Sequence, residues 1–122
     1  HKRTITMCVI STLRIGKKVK KTYSVPYYPN VTMGWDPTPR TNQEKPWKGN
    51  QVYPYTNTIG NNTPENFKRA LQMTKERLLN DPDSPRIINI NCWNEWTEGS
   101  YLEPDVVHGY DYLKAVKAVF SK

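Results

Sequence analysis

The segment from residue 63 to residue 78 constrains the fold most, because it contains a complete helix signal. Thr63 is a typical helix-capping residue, Pro64 suits the first helical position, and Glu65 complements the positive end of the helix dipole. Behind this start, residues that can face a core recur at helical spacing: Phe67, Ala70, Leu71, Thr74 and Leu78. The segment therefore predicts an amphipathic helix with one buried face.

Strand signals alternate with helix signals along the rest of the chain. Ile87, Ile88 and Ile90 form a short apolar run that predicts a buried strand of the parallel type. The remaining predicted elements are strands over Thr4–Ile10 and Val31–Met33 and a helix over Tyr110–Phe120 with Leu113, Val116 and Phe120 inward. This alternation predicts a single α/β domain over residues 1–122 with a parallel sheet.

Two long segments without periodicity each follow a predicted strand. One runs from Gly34 to Asn62, and the other begins at Asn94. Loops of this length in a compact domain are usually functional, and α/β architectures build their sites at the carboxyl ends of strands. We therefore expect the site residues to lie in these two segments.

The net charge of +7 raises the question of anionic partners. Much of the excess lies in one basic cluster: Arg14, Lys17, Lys18, Lys20 and Lys21. No nucleic-acid-binding motif accompanies the cluster, so we interpret it as a solvated hairpin or loop around Gly16 and expect no specific nucleic-acid partner. No stretch has the ~20 apolar residues that a membrane span needs. Cys8 and Cys92 are interpreted as free, buried thiols, with a disulfide as the alternative.

The second loop combines carboxylates with aromatic residues. Glu95 and Glu98 are three residues apart, Trp93 and Trp96 flank them, and Gly99 follows. If the backbone turns helically, both carboxylates lie on one face with β-carbons ~5–6 Å apart. Repulsion and desolvation would then favour one protonated and one ionised carboxyl group, which suits a proton donor paired with a base or nucleophile. The structural alternative is a solvated acidic turn beside ordinary core tryptophans.

Further polar and aromatic residues are candidates for binding. Trp35, Asp36 and Arg40 could contact sugar hydroxyls or a charged group, or an Asp–Arg pair could anchor the loop. A stacking platform could include Trp47, Tyr53 and Tyr55, although loop aromatics also cover cores. Glu103 and Asp105 are expected to be structural, and His108 has no partner at metal-ligand spacing. No metal or cofactor is expected.

Two motifs resemble a known family. The run Asn94-Glu95-Trp96-Thr97-Glu98-Gly99, continuing to Leu102-Glu103-Pro104-Asp105, resembles the N-E-W-x-E-G…L/I-E-P motif of family 99 glycoside hydrolases and of the related WbsX group, often labelled glycosyltransferases. The segment Gly34-Trp35-Asp36-Pro37-Thr38-Pro39-Arg40 is similar to the G-W-D-x-[TS]-P-R segment of the WbsX group. The residues His108-Gly109-Tyr110 and Tyr112-Leu113 are similar to its Y-G-x-x-Y-L-E-A stretch.

The resemblance implies a (β/α)₈ barrel and retaining action on α-linked, mannose-type glycans. By the same resemblance Glu95 is a base that assists the sugar 2-hydroxyl, and Glu98 is the general acid and later the general base. Trp93, Asn94, Trp96 and Tyr101 join Trp35, Asp36 and Arg40 as expected substrate-binding residues, with Tyr101 a candidate for the tyrosine that assists at the family's site. Thr97 departs from the hydrolases, which carry His there. A barrel typically takes ~250 residues, so the chain is expected to be its C-terminal part, partnered by the remainder of the barrel and inactive alone.

The carboxylate pair and the resemblance together are compatible with three functions. The leading one is a family-99-like glycoside hydrolase. The first alternative is a WbsX-type glycosyltransferase of bacterial surface polysaccharide biosynthesis, and the second is a non-catalytic carbohydrate-binding remnant. A glycan is the expected substrate in all three, and the bacterial cytoplasm is the favoured location, with the periplasm and cell surface as alternatives.

Overall fold

The computed structural model describes residues 3–45 and 52–121. Its elements in chain order are β1 (Arg3–Thr4), α1 (Ile5–Thr22), β2 (Asn30–Val31), β3 (Ile59–Gly60), α2 (Pro64–Leu79), β4 (Asn89–Ile90), β5 (Asn94–Glu95), β6 (Ser100–Tyr101) and α3 (Asp111–Phe120). Single 3₁₀ turns lie at Thr38–Arg40 and Trp96–Glu98. The fold is therefore mixed helix and strand, in agreement with the predicted α/β class.

The strands form two parallel pairs, and the pair β2–β4 brings the starts of the two long loops together. β1 pairs with β3, and β2 pairs with β4, with Asn30 opposite Asn89 and Val31 opposite Ile90. Because parallel strands end at the same edge, the chain after Val31 and the chain after Ile90 leave from neighbouring positions. β5 and β6 then form an antiparallel hairpin within the second loop. The topology thus accounts for the proximity of two segments that are far apart in sequence.

Helix α2 forms as its sequence predicts. The Thr63 hydroxyl accepts a hydrogen bond from the backbone N–H of Asn66 at 3.3 Å, a capping contact that typically contributes about 1 kcal/mol. All five predicted inward residues are buried: Phe67, Ala70, Leu71, Thr74 and Leu78. The cap and the buried stripe together fix the position of α2 in the fold.

The core lies between α2, α3 and β2. Its buried members are Val31, Met33, Phe67, Ala70, Leu71, Tyr112, Ala115 and Val119. Phe67 meets Tyr112 edge to face at 5.7 Å between ring centroids. Burial raises the pKa of Tyr112 to about 12, and its hydroxyl donates a hydrogen bond to the carbonyl of Asn62. The core therefore ties α3 to the segment that precedes α2.

The buried face of α3 differs from the predicted one. Tyr112, Ala115 and Val119 are buried, whereas Phe120 is exposed and lies 5.6 Å from the ammonium group of Lys75. Tyr112 fills the place beside Phe67, while Leu113 is half-buried and Val116 packs against the edge of the core, so among the three predicted inward residues only Phe120 is exposed. The prediction selected the more hydrophobic stripe, but Tyr112 buries more area and keeps a hydrogen bond for its hydroxyl.

The predicted strand over Thr4–Ile10 is wrong. Only Arg3 and Thr4 pair with β3, and helix α1 begins at Ile5. The β-branched residues in this segment cost a helix only a few tenths of a kcal/mol each. Strand propensity depends on neighbouring strands, and the pairing with β3 is limited to two residues. The helix satisfies the backbone of the following residues internally.

The basic segment is also helical rather than a hairpin or loop. Gly16 is buried within α1, where a β-carbon would lie 2.5 Å from the ring of Tyr27. Gly16 therefore permits close approach of Tyr27 to the helix, instead of forming a turn. Lysine is a good helix former, so the residues after Gly16 continue the helix to Thr22.

The predicted strand around Ile88 exists but is short. Strand β4 contains Asn89 and Ile90, while Ile87 is exposed and Ile88 is half-buried against the core. Cys8 and Cys92 are not joined by a disulfide bond, and both are half-buried rather than buried. Among the described residues, no helix has the length and apolarity needed to cross a membrane.

Candidate active site

The two long loops are joined by backbone contacts. The N–H of Asp36 donates to the carbonyl of Glu98 at 2.6 Å. A β-carbon on Gly34 would lie 2.7 Å from the carbonyl oxygen of Gly99, and one on Gly99 would lie 3.1 Å from the β-carbon of Asp36. Gly99 also has a left-handed φ of 53°, which favours glycine. Both glycines thus allow the loops to approach closely.

The acidic loop adopts the helical turn that its spacing predicts. Glu95 ends β5, and the 3₁₀ turn Trp96–Glu98 follows directly. A 3₁₀ turn has three residues per turn, so side chains three residues apart lie one above the other. Gly99 closes the turn with a hydrogen bond from its N–H to the carbonyl of Trp96 at 3.0 Å. Glu95 directly precedes this turn, and it projects to the same side as Glu98, because one guanidinium, that of Arg40, contacts both carboxylates.

Arg40 bridges the two carboxylates. Its Nη2 lies 2.8 Å from Oε2 of Glu95, its Nη1 lies 3.6 Å from Oε1 of Glu98, and its Nε donates to Oγ1 of Thr97 at 2.8 Å. The 3₁₀ turn Thr38–Arg40 presents this guanidinium to the second loop. A cation between the carboxylates offsets their mutual repulsion, so both can lie close together.

The two carboxylates have different surroundings. The side chain of Glu98 is 13% exposed and accepts a hydrogen bond from the Tyr53 hydroxyl at 2.7 Å, whereas the side chain of Glu95 is 45% exposed. The hydrogen bond to Glu98 raises the pKa of Tyr53 above its ordinary value, and desolvation adds a smaller effect in the same direction. The pair is therefore asymmetric, with one shielded and one open carboxylate.

Trp35 and Asp36 support this arrangement from the first loop. The Trp35 ring lies 6.4 Å from the ring of Tyr53, and its Nε1 donates to Oγ1 of Thr56 at 3.3 Å. Oδ1 of Asp36 accepts a hydrogen bond from the N–H of Thr38 at 3.0 Å and so caps the turn that carries Arg40. Arg40 pairs with the two glutamates, so an Asp36–Arg40 pair is not what anchors the loop.

A second aromatic group lies along the hairpin. The rings of Trp96 and Tyr101 are stacked with centroids 4.0 Å apart, and Nε1 of Trp96 donates to Oε2 of Glu103 at 2.9 Å. Burial raises the pKa of Tyr101, and the hydrogen bond from its hydroxyl to Asp105 raises it further. Tyr101 is thus oriented by Trp96 and Asp105, and it is Tyr53 that contacts Glu98.

Trp93 and Asn94 begin the hairpin. The Trp93 side chain is exposed, and its carbonyl accepts hydrogen bonds from the N–H groups of Leu102 and Glu103 at 2.8 and 2.9 Å. Asn94 is exposed and pairs with Tyr101 across the hairpin. The backbone of Trp93 therefore holds the strand that returns from the site.

Asp105 organises the turn before α3. Its Oδ1 accepts hydrogen bonds from the N–H groups of Val107 and His108. Burial alone would raise the pKa of Asp105, but these bonds and the Tyr101 hydroxyl lower it on balance. The His108 ring lies edge-on against Tyr112. Within residues 3–45 and 52–121, no group of His, Cys, Asp and Glu side chains has a metal-binding arrangement.

Two of the contacting residues carry no clear signal in the sequence. In the sequence, Thr97 is notable only because it differs from the residue in the hydrolase motif. Tyr53 is notable only as one member of the predicted stacking platform. Tyr55 instead accepts a hydrogen bond from the N–H of Asn42, and Trp47 lies outside the described residues. No local pattern could have located Tyr53, because it is 45 residues from Glu98.

Within the carboxylate pair, Glu95 is the member open to solvent, whereas Glu98 is largely shielded. A cleft of about 650 Å³ lies between the C-terminal ends of α1 and α2, and an apolar groove of about 570 Å³ lies between α2, β4 and α3. Neither is lined by Glu95, Glu98 or Arg40. The exposed side of the pair is therefore the side on which Glu95 lies.

Comparison with known proteins gives one family match and two curated relatives. The model of the family described as glycosyltransferase WbsX matches residues 6–116. "Uncharacterized protein WxcX" from Xanthomonas campestris pv. campestris, strains B100 and ATCC 33913, is 36% identical over 96 residues in each case. These alignments cover 78% of this chain but only 12% of each relative. No solved structure matches the chain significantly.

Proposed function

This chain belongs to the glycosyltransferase WbsX family, and we propose that it contributes the catalytic carboxylates of a sugar-transferring enzyme of bacterial polysaccharide biosynthesis. The observation that carries the proposal is the bridge from Glu95 through Arg40 to Glu98, with Tyr53 bonded to Glu98. These contacts position two carboxylates with unequal exposure, which suits acid–base chemistry at a glycosidic centre.

Each carboxylate has a distinct proposed role. Glu98, shielded and oriented by Tyr53, exchanges a proton with the oxygen of the bond being formed or broken. Glu95, more open to solvent, acts as the base toward the sugar 2-hydroxyl. Arg40 is a positioning residue, because it holds both carboxylates and Thr97.

The remaining loop residues supply a surface for the glycan in this proposal. Exposed indole rings bind the apolar faces of sugars, and Trp93 and Trp96 are both exposed beside the pair in sequence. The proposed substrate-contacting residues are Trp35, Asp36, Trp93, Asn94, Trp96 and Tyr101. Among these, Asp36 also has the capping contact with Thr38, so its substitution would affect the loop as well as binding.

Hydrolysis of α-linked, mannose-type glycans is the second candidate. It is favoured by the two carboxylates on one turn, since retaining glycoside hydrolysis uses carboxyl groups on both sides of the scissile bond. Transfer and hydrolysis differ in whether a sugar hydroxyl or water accepts the glycosyl group. The family membership favours transfer, and the acid pair is compatible with both.

We also propose that this chain supplies the C-terminal part of a (β/α)₈ barrel. The chain spans 12% of the length of the curated relatives it matches, so the complete protein extends well beyond this segment in those relatives. The proposal is supported by the parallel pair β2–β4, because both functional loops follow the carboxyl ends of these two strands, and barrels build their catalytic face at such ends. The remainder of the barrel would then enclose the open side of the carboxylate pair.

The test compares the full-length protein with its Glu95→Gln and Glu98→Gln variants. Each is incubated with an array of α-linked glycans, with and without nucleotide sugars. We expect donor-dependent transfer by the parent and a loss of roughly 100- to 10,000-fold in both variants. Glu103→Gln is the matched control, because it makes the same change in the same loop at a residue bonded to Trp96.

Other outcomes separate the alternatives. Release of sugar without any nucleotide donor, lost in both variants, would identify a hydrolase. Glycan binding that survives both substitutions, with no turnover by the parent, would refute a catalytic role and leave a carbohydrate-binding domain. Equal losses in Glu103→Gln and Glu98→Gln would show that the loop, rather than the pair, is being perturbed.

A further inference from the structure

The net positive charge of this chain comes from its first part. Residues 1–35 contain seven Lys and Arg and no Asp or Glu, while residues 36–122 contain eleven basic and eleven acidic residues. The entire net charge of +7 therefore lies before Asp36. Such asymmetry within one chain indicates a local anionic partner rather than a general effect on solubility.

The last turns of α1 present these charges on one face. Successive residues of a helix are rotated by about 100° around its axis, and five exposed residues fall on one side of α1 by this rule: Arg14, Ile15, Lys17, Lys18 and Lys21. Gly16, Val19 and Lys20 lie on the opposite arc and are buried or half-buried. We call the exposed arc the basic face of α1. Lys20 is directed inward, where its ammonium binds Asp81 at 2.6 Å and Ser84 at 3.2 Å.

The cations of the basic face are not used within the described fold. In the part of the chain that the structure describes, the ion pairs with carboxylates involve Lys20, Arg40 and Lys114. Lys21 could stabilise the negative end of the helix dipole, but that effect is limited to the last turn. It does not account for Arg14 and Lys17, so the basic face remains unexplained by local helix stability.

Exposed apolar side chains accompany the cations. Ile15 is 57% exposed within the basic face, and Tyr23 and Val25, just beyond the helix end, are 62% and 58% exposed. Lysines beside exposed aliphatic and tyrosine side chains suit the boundary between lipid headgroups and acyl chains. A nucleic acid would complement the charges but would leave these apolar groups without partners.

We propose that the basic face of α1 attaches the protein to an anionic lipid bilayer. The attachment is peripheral: the lysines and arginine bind headgroup phosphates, and Ile15 enters the outer edge of the acyl region. This attachment is separate from the chemistry of Glu95 and Glu98, and its test measures lipid binding rather than turnover.

The experiment is co-sedimentation of the full-length protein with vesicles. One set contains equal parts of phosphatidylglycerol and phosphatidylcholine, and the other contains phosphatidylcholine alone. We expect binding to the anionic set, weakened by salt because the charges are exposed. Each basic residue near an anionic surface changes binding by roughly fivefold, so Lys17→Gln/Lys18→Gln/Lys21→Gln should weaken it by about 100-fold.

A matched control keeps the net charge equal. Lys68→Gln/Lys114→Gln/Lys117→Gln removes three lysines from α2 and α3, and it should bind anionic vesicles as the parent does. Ile15→Ser should weaken binding even at high salt, because its contribution is apolar. Circular dichroism of each variant confirms that helix content is retained.

Three results would overturn the proposal. Equal binding to both vesicle sets would exclude headgroup charge as the determinant. Equal weakening in the two triple variants would assign binding to net charge rather than to this face. Release by inorganic pyrophosphate, when sodium chloride of the same ionic strength has no effect, would identify a soluble phosphate compound as the ligand.

Discussion

Substitution of Gly34 by alanine tests whether the contact between the two loops maintains the carboxylate pair. The new β-carbon would lie 2.7 Å from the carbonyl oxygen of Gly99, about 0.6 Å closer than the ~3.3 Å at which carbon and carbonyl oxygen ordinarily meet. The terminal amide of Asn62, at 2.9 Å, can move aside, but the carbonyl of Gly99 belongs to the backbone and cannot yield cheaply. Overpacking of this kind typically costs about 1–3 kcal/mol.

The loop must then move by roughly the same 0.6 Å overlap. Arg40, six residues further along the displaced loop, makes hydrogen bonds of 2.8 Å to both Glu95 and Thr97. A shift of that size would stretch these bonds beyond the normal range for N–H···O contacts. Since a misplacement of ~1 Å can cost about 100-fold in rate, we expect turnover to fall roughly 10- to 100-fold.

Gly109→Ala is the matched control for this substitution. Gly109 has a left-handed φ of 53° with open space around its α-carbon, so alanine there costs about 1–2 kcal/mol through backbone strain alone. Both variants of the full-length protein are compared by denaturant unfolding and by turnover on the substrate that the glycan array identifies. We expect similar losses of stability but a loss of turnover only in Gly34→Ala. Equal turnover in the two variants would refute the idea that loop contact maintains the site.

Two further predictions concern pH. Hydrogen bonds from Lys20 (the larger effect) and Ser84 lower the pKa of Asp81 from 3.8 to about 2, so this interaction stabilises the fold above pH 3.8 and is lost as the pH falls through about 2. In urea unfolding, the parent should therefore be more stable than Lys20→Gln above pH 3.8, and this difference should disappear as the pH falls to about 2. A difference that stays constant over this pH range would contradict the prediction. The pKa of Tyr53 is raised in the folded protein, so the hydrogen bond from its hydroxyl to Glu98 stabilises the fold below pH 10. This stabilisation is lost as the pH rises through the pKa of Tyr53 in the folded protein. Subtracting the alkaline absorbance titration of Tyr53→Phe from that of the parent isolates the Tyr53 phenol. When the same subtraction is made in the Glu98→Ala background, the midpoint should fall toward 10.0. An unchanged midpoint would exclude Glu98 as the cause of the raised pKa.

Local signals were sufficient to predict α2 and the acidic turn. The Thr63 cap, the proline after it and the buried stripe of α2 all lie within one segment, and each acts through neighbours in sequence. Glu95 and Glu98 lie close together because Glu95 directly precedes the 3₁₀ turn that ends at Glu98. In both cases backbone geometry over a few residues determines the outcome, so sequence spacing is informative.

Contacts across the fold could not be predicted in this way. Arg40 is 55 residues from Glu95, and their contact depends on the parallel pairing of β2 with β4 and on the meeting of two irregular loops. The wrong prediction of a strand in the N-terminal segment also reflects contacts that the local sequence does not reveal. Its β-branched residues favour a strand, but strand formation needs a partner, and β3 pairs with only two residues before α1 begins.

The joining of the loops through main-chain atoms has an evolutionary consequence. The N–H of Asp36 and the carbonyl of Glu98 would form the same hydrogen bond with almost any side chains at those positions, and the close approach beside them requires only two glycines. Side chains on the turn, such as that of Thr97, can therefore be exchanged without losing the alignment of the loops. Such a scaffold can diversify its chemistry by point mutation while its architecture is inherited unchanged.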